Sequence, residues 1–294
     1  MIVVDASEGT LFERHRRAWG GRVTHLPPNP NRSFLMPKVD GVLTGIDQAS
    51  FEKVVIADDD VRYDRVSLLR ISALLENADL VWPQNYFDPV PWHARWDTAR
   101  TLLNRAFSHD YPGTVGVRRS ILLRARGYNG DVMFENLELR RTIQALGGAI
   151  HSPLDLYVRR LPPTTRHFFS QRVRQAYDDF ALPFRMAAFL SVIPLAAAAG
   201  FLGAWPALLL VAAGSVGLAE VGRRRAGGTA VFPAGASLLA PAWIAERSIT
   251  SWMALWQRVV HGGVAYNGNR IRMAATSLRD LRRRLAPVGL HREE

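Results

Sequence analysis

An uncharged, apolar run in the second half of the chain constrains the fold most strongly. Residues 186–219 contain no Asp, Glu, Lys or Arg, which makes 34 consecutive uncharged positions. A helix that crosses a membrane needs about 20 apolar residues, so this run is long enough for two short spanning helices joined by a turn. Turn formers and a tryptophan at residues 200–206 predict where the turn lies. The alternative is a buried, alanine-rich hairpin in the core of a soluble protein.

Arginines on both sides of this run predict its orientation. Arg172, Arg174 and Arg185 precede it, and residues 223–225 are three consecutive arginines. Positively charged residues favour the cytoplasmic side of a membrane, and both ends of a hairpin lie on one side. We therefore expect a protein of the cell membrane whose remaining parts face the cytoplasm.

The C-terminal segment, residues 222–294, is expected to stay beside the membrane. Residues 229–244 are apolar but short and contain two prolines, so they could be re-entrant, interfacial or a poor spanning helix. Residues 248–260 place large apolar side chains at helical spacing, which predicts an amphipathic surface helix. The arginine-rich stretch at 279–284 would lie close to lipid headgroups.

The part of the chain before the apolar run alternates strand and helix patterns. Residues 2–4 and 54–57 are short apolar runs that end at the carboxylates Asp5 and Asp58, which is typical of buried parallel strands. Ligands of open α/β sheets bind where the strands end. We therefore expect Asp5 and Asp58 on the same rim of the sheet.

Helical periodicity covers residues 64–76 and 136–145, with a further strand at 78–82 and a glycine C-cap at residues 147–148. This order predicts an α/β domain. The sequence thus divides into an α/β domain at residues 1–182, a transmembrane hairpin at 183–221, and the segment 222–294.

Composition excludes several kinds of site. The chain has no cysteine, which rules out disulfides, thiolate nucleophiles, cysteine-ligated zinc and iron–sulfur clusters. The net charge is +11, and a basic segment beside apolar sequence suits anionic headgroups as well as nucleic acid. The sequence contains no recognisable nucleic-acid-binding module, and its arginines flank apolar helices, so we expect no nucleic-acid partner.

Three consecutive carboxylates, Asp58, Asp59 and Asp60, follow the run at 54–57 directly. Their mutual repulsion is relieved when a cation or ligand neutralises them. Two acids spaced i, i+2 can hold a hard divalent metal that also bridges a diphosphate. The alternative is a solvated acidic turn that caps the following helix, and the spacing alone leaves both open.

Six short motifs, in order along nearly the whole chain, resemble family 2 glycosyltransferases of the GT-A fold, especially the membrane-bound branch similar to ceramide glucosyltransferase. They look like the strand whose acid contacts the nucleotide base, a lysine-containing helix start, the Asp-x-Asp strand end, the acceptor-side Gly…Arg-Arg segment, the Glu-Asp motif and the Gln-x-x-Arg-Trp box. In this sequence they lie at residues 2–7, 37–43, 56–60, 113–119, 134–139 and 171–175.

The resemblance implies a GT-A-type, Rossmann-like mixed-sheet domain followed by membrane helices. It implies inverting transfer of a sugar from a nucleotide-diphospho-sugar, a UDP-sugar, to a lipid-linked acceptor, with Mg²⁺ or Mn²⁺ held by Asp58 and Asp60. The residues that it places on the donor are Asp5, Lys38, Asp58, Asp59, Arg172 and Arg174. Those that it places on the acceptor side are Gly113, Thr114 and Gln171.

The sequence departs from the family's pattern in three places. The family begins with one more strand and helix before residues 2–4, so the resemblance implies an N-terminally short domain. Gln175 replaces the tryptophan of the Gln-x-x-Arg-Trp box, which argues against a processive polymerase. Asn136 stands where the family has its aspartate base. These departures leave open a degenerate, non-catalytic membrane scaffold.

An amide cannot accept the acceptor's proton, so the catalytic base must lie near Asn136. Glu135 precedes it at the start of the predicted helix, and Glu138 follows one turn later. We predict that Glu135 is the base and keep Glu138 as the alternative. Glu135 could also do no more than complement the positive end of the helix dipole.

Overall fold

The computed structural model describes residues 1–110 and 112–286. Strands and helices alternate through the first part of the chain, as the sequence predicts. In order they are β1 (Ile2–Val4), α1 (Gly9–Trp19), β2 (Thr24–Leu26), α2 (Pro37–Gln48), β3 (Lys53–Ile56), β4 (Val61–Arg62), α3 (Arg65–Leu74), β5 (Leu80–Val81), β6 (Gln84–Phe87), α4 (Trp92–Phe107), β7 (Val115–Arg118), α5 (Arg119–Arg124), α6 (Glu135–Ala145), β8 (Ile150–His151), β9 (Tyr157–Arg160) and α7 (Thr165–Tyr177).

The second part is mainly helical. A 3₁₀ turn at Asp178–Ala181 leads into α8 (Pro183–Phe201) and α9 (Trp205–Arg224). Two further 3₁₀ segments, Arg225–Ala230 and Ala234–Leu239, precede α10 (Ala240–Val260). The described chain ends with β10 (Val264–Tyr266), β11 (Asn269–Ile271) and α11 (Leu278–Leu285).

The central sheet has the strand order β3-β7-β5-β8, with β8 parallel to β5 and the other pairs antiparallel. A second sheet is ordered β4-β9-β6, and β1 pairs with β2 alone. The prediction of buried parallel strands is right in direction for β1 and wrong for β3, which pairs antiparallel with β7. Both strands are half-buried. The length of an apolar run does not show whether the neighbouring strand is parallel or antiparallel, and this explains the error.

Local signals in the sequence fix the ends of two helices. Asp64 caps α3 by accepting a 2.7 Å hydrogen bond from the backbone N–H of Ser67, whose hydroxyl accepts in turn from the N–H of Asp64. Helix α6 ends as predicted at Gly147, whose φ of +75° suits glycine. The core lies between the central sheet and helices α2, α5, α6 and α7.

Helices α8 and α9 form the predicted hairpin, and the turn between them falls within residues 200–206. By length and composition, both are apolar enough to cross a membrane, and only 6% and 17% of their most apolar windows are buried. The alternative of a hairpin buried in a soluble core therefore does not describe these helices, because most of their apolar surface contacts no other part of the described chain.

The segment after the hairpin packs against the α/β part. Residues 229–244 form 3₁₀ turns and the first turn of α10, and Phe232 and Ala236 are buried against Leu102 of α4. Helix α10 is amphipathic, as predicted for residues 248–260: Trp252 and Trp256 are exposed, whereas Ala254 is buried. Helix α11 packs on α6 and contains the arginine-rich stretch. Residues 287–294 of the predicted basic tail lie outside the described residues.

Candidate active site

A cavity of about 470 Å³ lies where the end of β3 meets α2, α4, α6 and α7. One end, which we call the acidic end, is lined by Asp58, Asp59, Asp60, Glu135, Lys38 and Arg160. Arg185 from the start of α8 and Arg247 from the middle of α10 also line the cavity. The cavity therefore joins the Asp-x-Asp turn to the base of the apolar hairpin.

Lys38 connects two of the predicted motifs. Its Nζ lies 2.7 Å from Asp58 Oδ1 and 2.8 Å from Glu135 Oε1. Burial alone would lower the pKa of Lys38, but the charges of Glu135 and Asp58 outweigh burial and raise it well above its usual range. Lys38 is therefore a fixed ammonium group that holds two carboxylates from distant parts of the sequence together.

Gly113 and Thr114, both predicted on the acceptor side, shape the turn after β3. Gly113 lines the cavity, and a Cβ at this position would overlap the carboxylate of Asp58. Thr114 is buried, and its hydroxyl lies 2.6 Å from the carbonyl oxygen of Ile56 and 2.6 Å from the hydroxyl of Tyr63. Gly113 thus makes room for Asp58, while Thr114 fixes the backbone of the strand end.

Asp60 has one paired and one unpaired oxygen. Its Oδ2 accepts a 2.8 Å hydrogen bond from Arg160 Nε, whereas its buried Oδ1 has no hydrogen-bond partner among residues 1–110 and 112–286. The neighbouring Asp59 is exposed at the edge of the cavity. Four carboxylates and two cations line the acidic end, so it has a surplus of two negative charges.

This surplus and the unpaired oxygen of Asp60 fit a divalent cation held by Asp58 and Asp60. No cluster of three or more His, Cys, Asp or Glu side chains able to hold a metal occurs in the part of the chain that the structure describes. A cation at this place would therefore need further oxygen ligands from a bound molecule. Small divalent cations are commonly held by one or two carboxylates together with substrate phosphates.

Arg174 and Gln171 of α7 line the cavity, as their predicted roles require. Their side chains hydrogen-bond to each other, and the Arg174 guanidinium lies 4.8 Å from the centroid of the Tyr266 ring. Arg174 thus brings a positive charge to the cavity without a carboxylate partner at ion-pair distance among the described residues.

Arg172, predicted on the donor, points towards α4 and α10. It is 4% exposed and does not line the cavity. Its Nη1 donates to Asp97 at 2.9 Å, and its Nε donates to Glu246 of α10 at 2.9 Å. Two carboxylates thus neutralise this guanidinium, and its visible role is to attach α7 to α4 and α10.

Asp5 is also predicted to contact the donor, and like Arg172 it does not line the cavity. Its Oδ2 is 2.7 Å from His15 Nδ1 and 3.0 Å from His25 Nε2, and its Oδ1 accepts from the N–H of Ser7. Burial would raise the pKa of Asp5, but these hydrogen bonds outweigh burial and hold it below its usual range. Strand β1 lies in a different sheet from β3, so the prediction that Asp5 and Asp58 share one rim is wrong, and Asp5 does not line the cavity that Asp58 lines.

Of the two candidate bases, only Glu135 lines the cavity. Glu138 is fully buried on another face of α6, where its Oε2 accepts a 2.6 Å hydrogen bond from the N–H of Thr276. Burial raises the pKa of Glu138. The geometry gives Glu138 a structural contact with the segment before α11 and no access to the cavity.

Asp178 is a cavity residue that sequence reasoning missed. It follows the last turn of α7, and its Oδ1 is buried without a hydrogen-bond partner within the described ranges. Burial, together with the charges of Glu135 and Asp179, raises the pKa of Asp178 well above its usual range. Two adjacent acids seven positions after Gln171 were the available signal, but nothing in that spacing shows that α7 turns them into the cavity.

Comparison with solved structures shows a shared fold. A mannosyltransferase from Pyrobaculum calidifontis, in complex with GDP-Man and Mn²⁺, matches 87% of this chain and 78% of its own, with a TM-score of 0.53 and 18% identity. Glucosyl-3-phosphoglycerate synthase from Mycobacterium tuberculosis, in complex with Mn²⁺, UDP and glucosyl-3-phosphoglycerate, matches 60% of this chain and 66% of its own, with a TM-score of 0.38 and 21% identity. No protein-family model and no curated protein matches the sequence. The likeness to the mannosyltransferase confirms the predicted mixed α/β fold of GT-A type.

Proposed function

We propose that the protein is a membrane-anchored, inverting glycosyltransferase that moves a sugar from a nucleotide-diphospho-sugar, a UDP-sugar, to a lipid-linked acceptor. The convergence of Lys38, Asp58 and Glu135 in one cavity carries this proposal. The three residues come from three separate motifs of the resemblance, and the cavity also contains Asp60. The fold shared with a mannosyltransferase whose structure contains GDP-Man and Mn²⁺ supports the same reaction class.

The donor's diphosphate would occupy the acidic end together with Mg²⁺ or Mn²⁺. Asp58 and Asp60 would hold the cation, which when bound supplies positive charge to the departing diphosphate. Asp59, exposed at the edge of the cavity, is the proposed contact of the donor at the rim. Lys38 and Arg160 already offset two of the four carboxylate charges, and a divalent cation would reduce the repulsion between the other two and the diphosphate.

Arg174 is the proposed counter-charge for the diphosphate. It lines the cavity and has no carboxylate at ion-pair distance among residues 1–110 and 112–286. Its positive charge can therefore stabilise the negative charge that develops on the diphosphate as the sugar–phosphate bond breaks. The hydroxyl of the acceptor must lose a proton as it attacks the anomeric carbon. Glu135 lines the cavity and Glu138 does not. We therefore place the acceptor of this proton among the cavity carboxylates near Glu135, with Glu135 itself included. Gly113 and Gln171 remain the proposed acceptor-side residues.

The exposed apolar surfaces of α8 and α9 support the membrane anchor and, through it, a lipid acceptor. The cavity reaches Arg185, in the first turns of α8. A lipid whose chains lie beside the hairpin could therefore present its headgroup to the cavity. Arg185 and the arginines at the C-terminal end of α9 lie at the same end of the hairpin, which supports a cytoplasmic site under the positive-inside rule.

Calorimetric titration of the full chain in detergent tests the donor site. UDP and GDP are titrated with Mn²⁺, with Mg²⁺ and with EDTA. We expect binding that depends on the divalent cation and is lost in Asp60→Asn. Asp155→Asn is the matched control, because Asp155 is exposed and pairs with Arg70 on the surface, away from the cavity lining. Absence of binding with either cation would contradict the proposal and favour a non-catalytic scaffold.

A further inference from the structure

Nearly all enclosed carboxylates of the cavity are ion-paired. Their shortest distances to a cationic nitrogen are 2.7 Å for Asp58, 2.8 Å for Asp60 and for Glu135, 2.9 Å for Asp97 and 3.0 Å for Asp179. A carboxylate in such a pair already accepts a hydrogen bond or faces a positive charge, and both favour its ionised form over its protonated form. None of these pairs leaves a carboxylate well suited to receive a proton.

Asp178 is different. It forms no ion pair within the described ranges 1–110 and 112–286, and its buried Oδ1 accepts no hydrogen bond there. The side chain nevertheless lines the same cavity as Glu135 and Lys38. An unpaired carboxylate oxygen enclosed in a substrate-sized cavity is placed to receive a hydrogen bond from a molecule bound there.

Charged groups from α6, α7, α8 and α10 lie around Asp178, and Arg185 of α8 pairs with the adjacent Asp179 at 3.0 Å. Glu135 of α6 and the adjacent Asp179 raise its pKa, and Arg247 of α10 and Arg174 of α7 lower it. Burial and the two acids outweigh the two arginines, and the pKa is raised well above its usual range. A carboxyl group whose pKa moves towards neutrality is better suited to general-base catalysis than an ordinary aspartate.

We propose that Asp178 is the base that takes the proton from the acceptor hydroxyl. This inference rests on the proposed function and assigns a residue that no motif of the resemblance contains. The acceptor's O–H bond breaks and its proton moves to a carboxylate oxygen of Asp178. The acceptor oxygen then forms its bond to the anomeric carbon, while the bond from that carbon to the diphosphate breaks and its electron pair leaves with the nucleoside diphosphate.

Glu135 acquires a distinct role in this scheme. Its Oε1 accepts from Lys38, so it stays a fixed negative charge that connects the metal-binding turn to the acceptor side. Its charge also raises the proton affinity of Asp178. Glu135 thereby compensates for Asn136 indirectly, because it makes the neighbouring aspartate a stronger base.

The test uses the full chain in detergent with water as the acceptor. Release of UDP from UDP-glucose and of GDP from GDP-mannose is measured with Mn²⁺ across a pH series, and the Kd of UDP with Mn²⁺ is measured alongside. We expect Asp178→Asn to lower kcat by about a hundredfold or more while the Kd changes less than about twofold. Asp178→Glu retains a carboxylate and should recover part of kcat, and Asp155→Asn should match the wild type.

The pH series and an infrared titration separate a base from a structural residue. For the wild type, turnover should rise as pH increases through the raised pKa of Asp178, because only the ionised carboxylate accepts a proton. Glu135→Gln should move this limb to lower pH, since it removes a like charge. Infrared difference spectra should show a carboxyl band that titrates above the usual range of an aspartate and is missing in Asp178→Asn.

Three results would overturn the assignment. Donor hydrolysis within about threefold of wild type in Asp178→Asn, with loss in Glu135→Gln, would return the role to Glu135. Absence of the infrared band from the wild type would contradict the raised proton affinity. Failure of the wild type to bind UDP or GDP with Mn²⁺ would remove the proposed function itself, and with it this inference.

Discussion

At the scale of single residues, the acidic end depends on the different environments of neighbouring carboxylates. Asp60 has a buried, unpaired oxygen, whereas Asp59 is exposed. Asp60→Asn should therefore abolish Mn²⁺-dependent binding of a nucleoside diphosphate without changing the circular dichroism spectrum. Asp59→Asn should weaken binding by less than about tenfold, or about 1.4 kcal/mol. Equal effects of the two variants on the Kd measured by calorimetry would contradict the metal assignment.

Gly113 provides a second test at this scale. A Cβ at this position would overlap the Asp58 carboxylate, so Gly113→Ala should displace Asp58 from Lys38 and weaken metal-dependent nucleotide binding. Gly214→Ala is the matched control, because a Cβ there meets nothing within 4 Å. Unchanged Mn²⁺ and UDP affinity in Gly113→Ala would show that the carboxylate does not need its observed position.

The two arginines of α7 show how far the sequence could predict the site. Arg172 and Arg174 belong to one motif, and the resemblance places both on the donor. Residues two apart on a helix point in directions roughly 200° apart, so the two arginines meet different neighbours. The structure brings Arg174 to the cavity and buries Arg172 between α4 and α10. Helical geometry could have predicted that the two arginines have different surroundings, but the sequence does not show which of them meets the cavity.

The different environments of these arginines predict different effects of substitution. Arg172→Gln removes the cation that Asp97 and Glu246 share, although Asp97 keeps Arg100 at 3.4 Å. Breaking a buried ion pair costs up to about 3–5 kcal/mol. We therefore expect a large drop in Tm. Arg174→Gln removes no ion pair and should leave Tm nearly unchanged while it weakens donor binding. Thermal unfolding and UDP titration of both variants distinguish the two roles, and the reverse pattern would contradict them.

At the scale of elements, local sequence patterns predicted where strands, helices and turns lie better than they predicted which elements pack or pair with each other. The runs at β1, β3 and β5, the helix that begins after Asp64 and the hairpin turn are all found where the sequence places them, because each depends on side chains close in sequence. The antiparallel pairing of β3 with β7 depends on contacts about sixty residues away. The position of Asp178 likewise depends on how α7 packs against α10, which no local pattern contains.

At the scale of the whole molecule, the hairpin and the α/β part are interlocked. Helix α9 packs on α4, where Gly222 lies directly against the backbone of Leu102, and α10 packs on α4 and α7. A Cβ at Gly222 would overlap that backbone. A chain truncated after Leu182 would expose these faces, so we expect it to aggregate when expressed alone. A soluble, monodisperse fragment would contradict this expectation.

The membrane anchor can be tested without truncation. Leu209 and Leu210 of α9 are 72% and 74% exposed, so lysine at both positions should leave the internal packing intact and prevent stable insertion. Replacing these residues should release the chain from membranes washed with alkaline carbonate, whereas the wild type stays in the pellet. Lysine at Leu68 and Leu69, exposed on α3, is the matched control and should not release it. A wild-type chain that is monodisperse in buffer without detergent would contradict the anchor.

Transfer of a radiolabelled sugar to lipid tests the central claim most directly. Membranes that contain the full chain are incubated with labelled UDP-glucose, UDP-galactose or GDP-mannose and Mn²⁺, and label in the organic phase is counted. We predict label above the level of control membranes with a UDP-sugar, loss of that label with EDTA, and the same loss in Asp60→Asn. Label equal to that of control membranes with every donor, from a wild-type chain shown to be folded, would contradict the account.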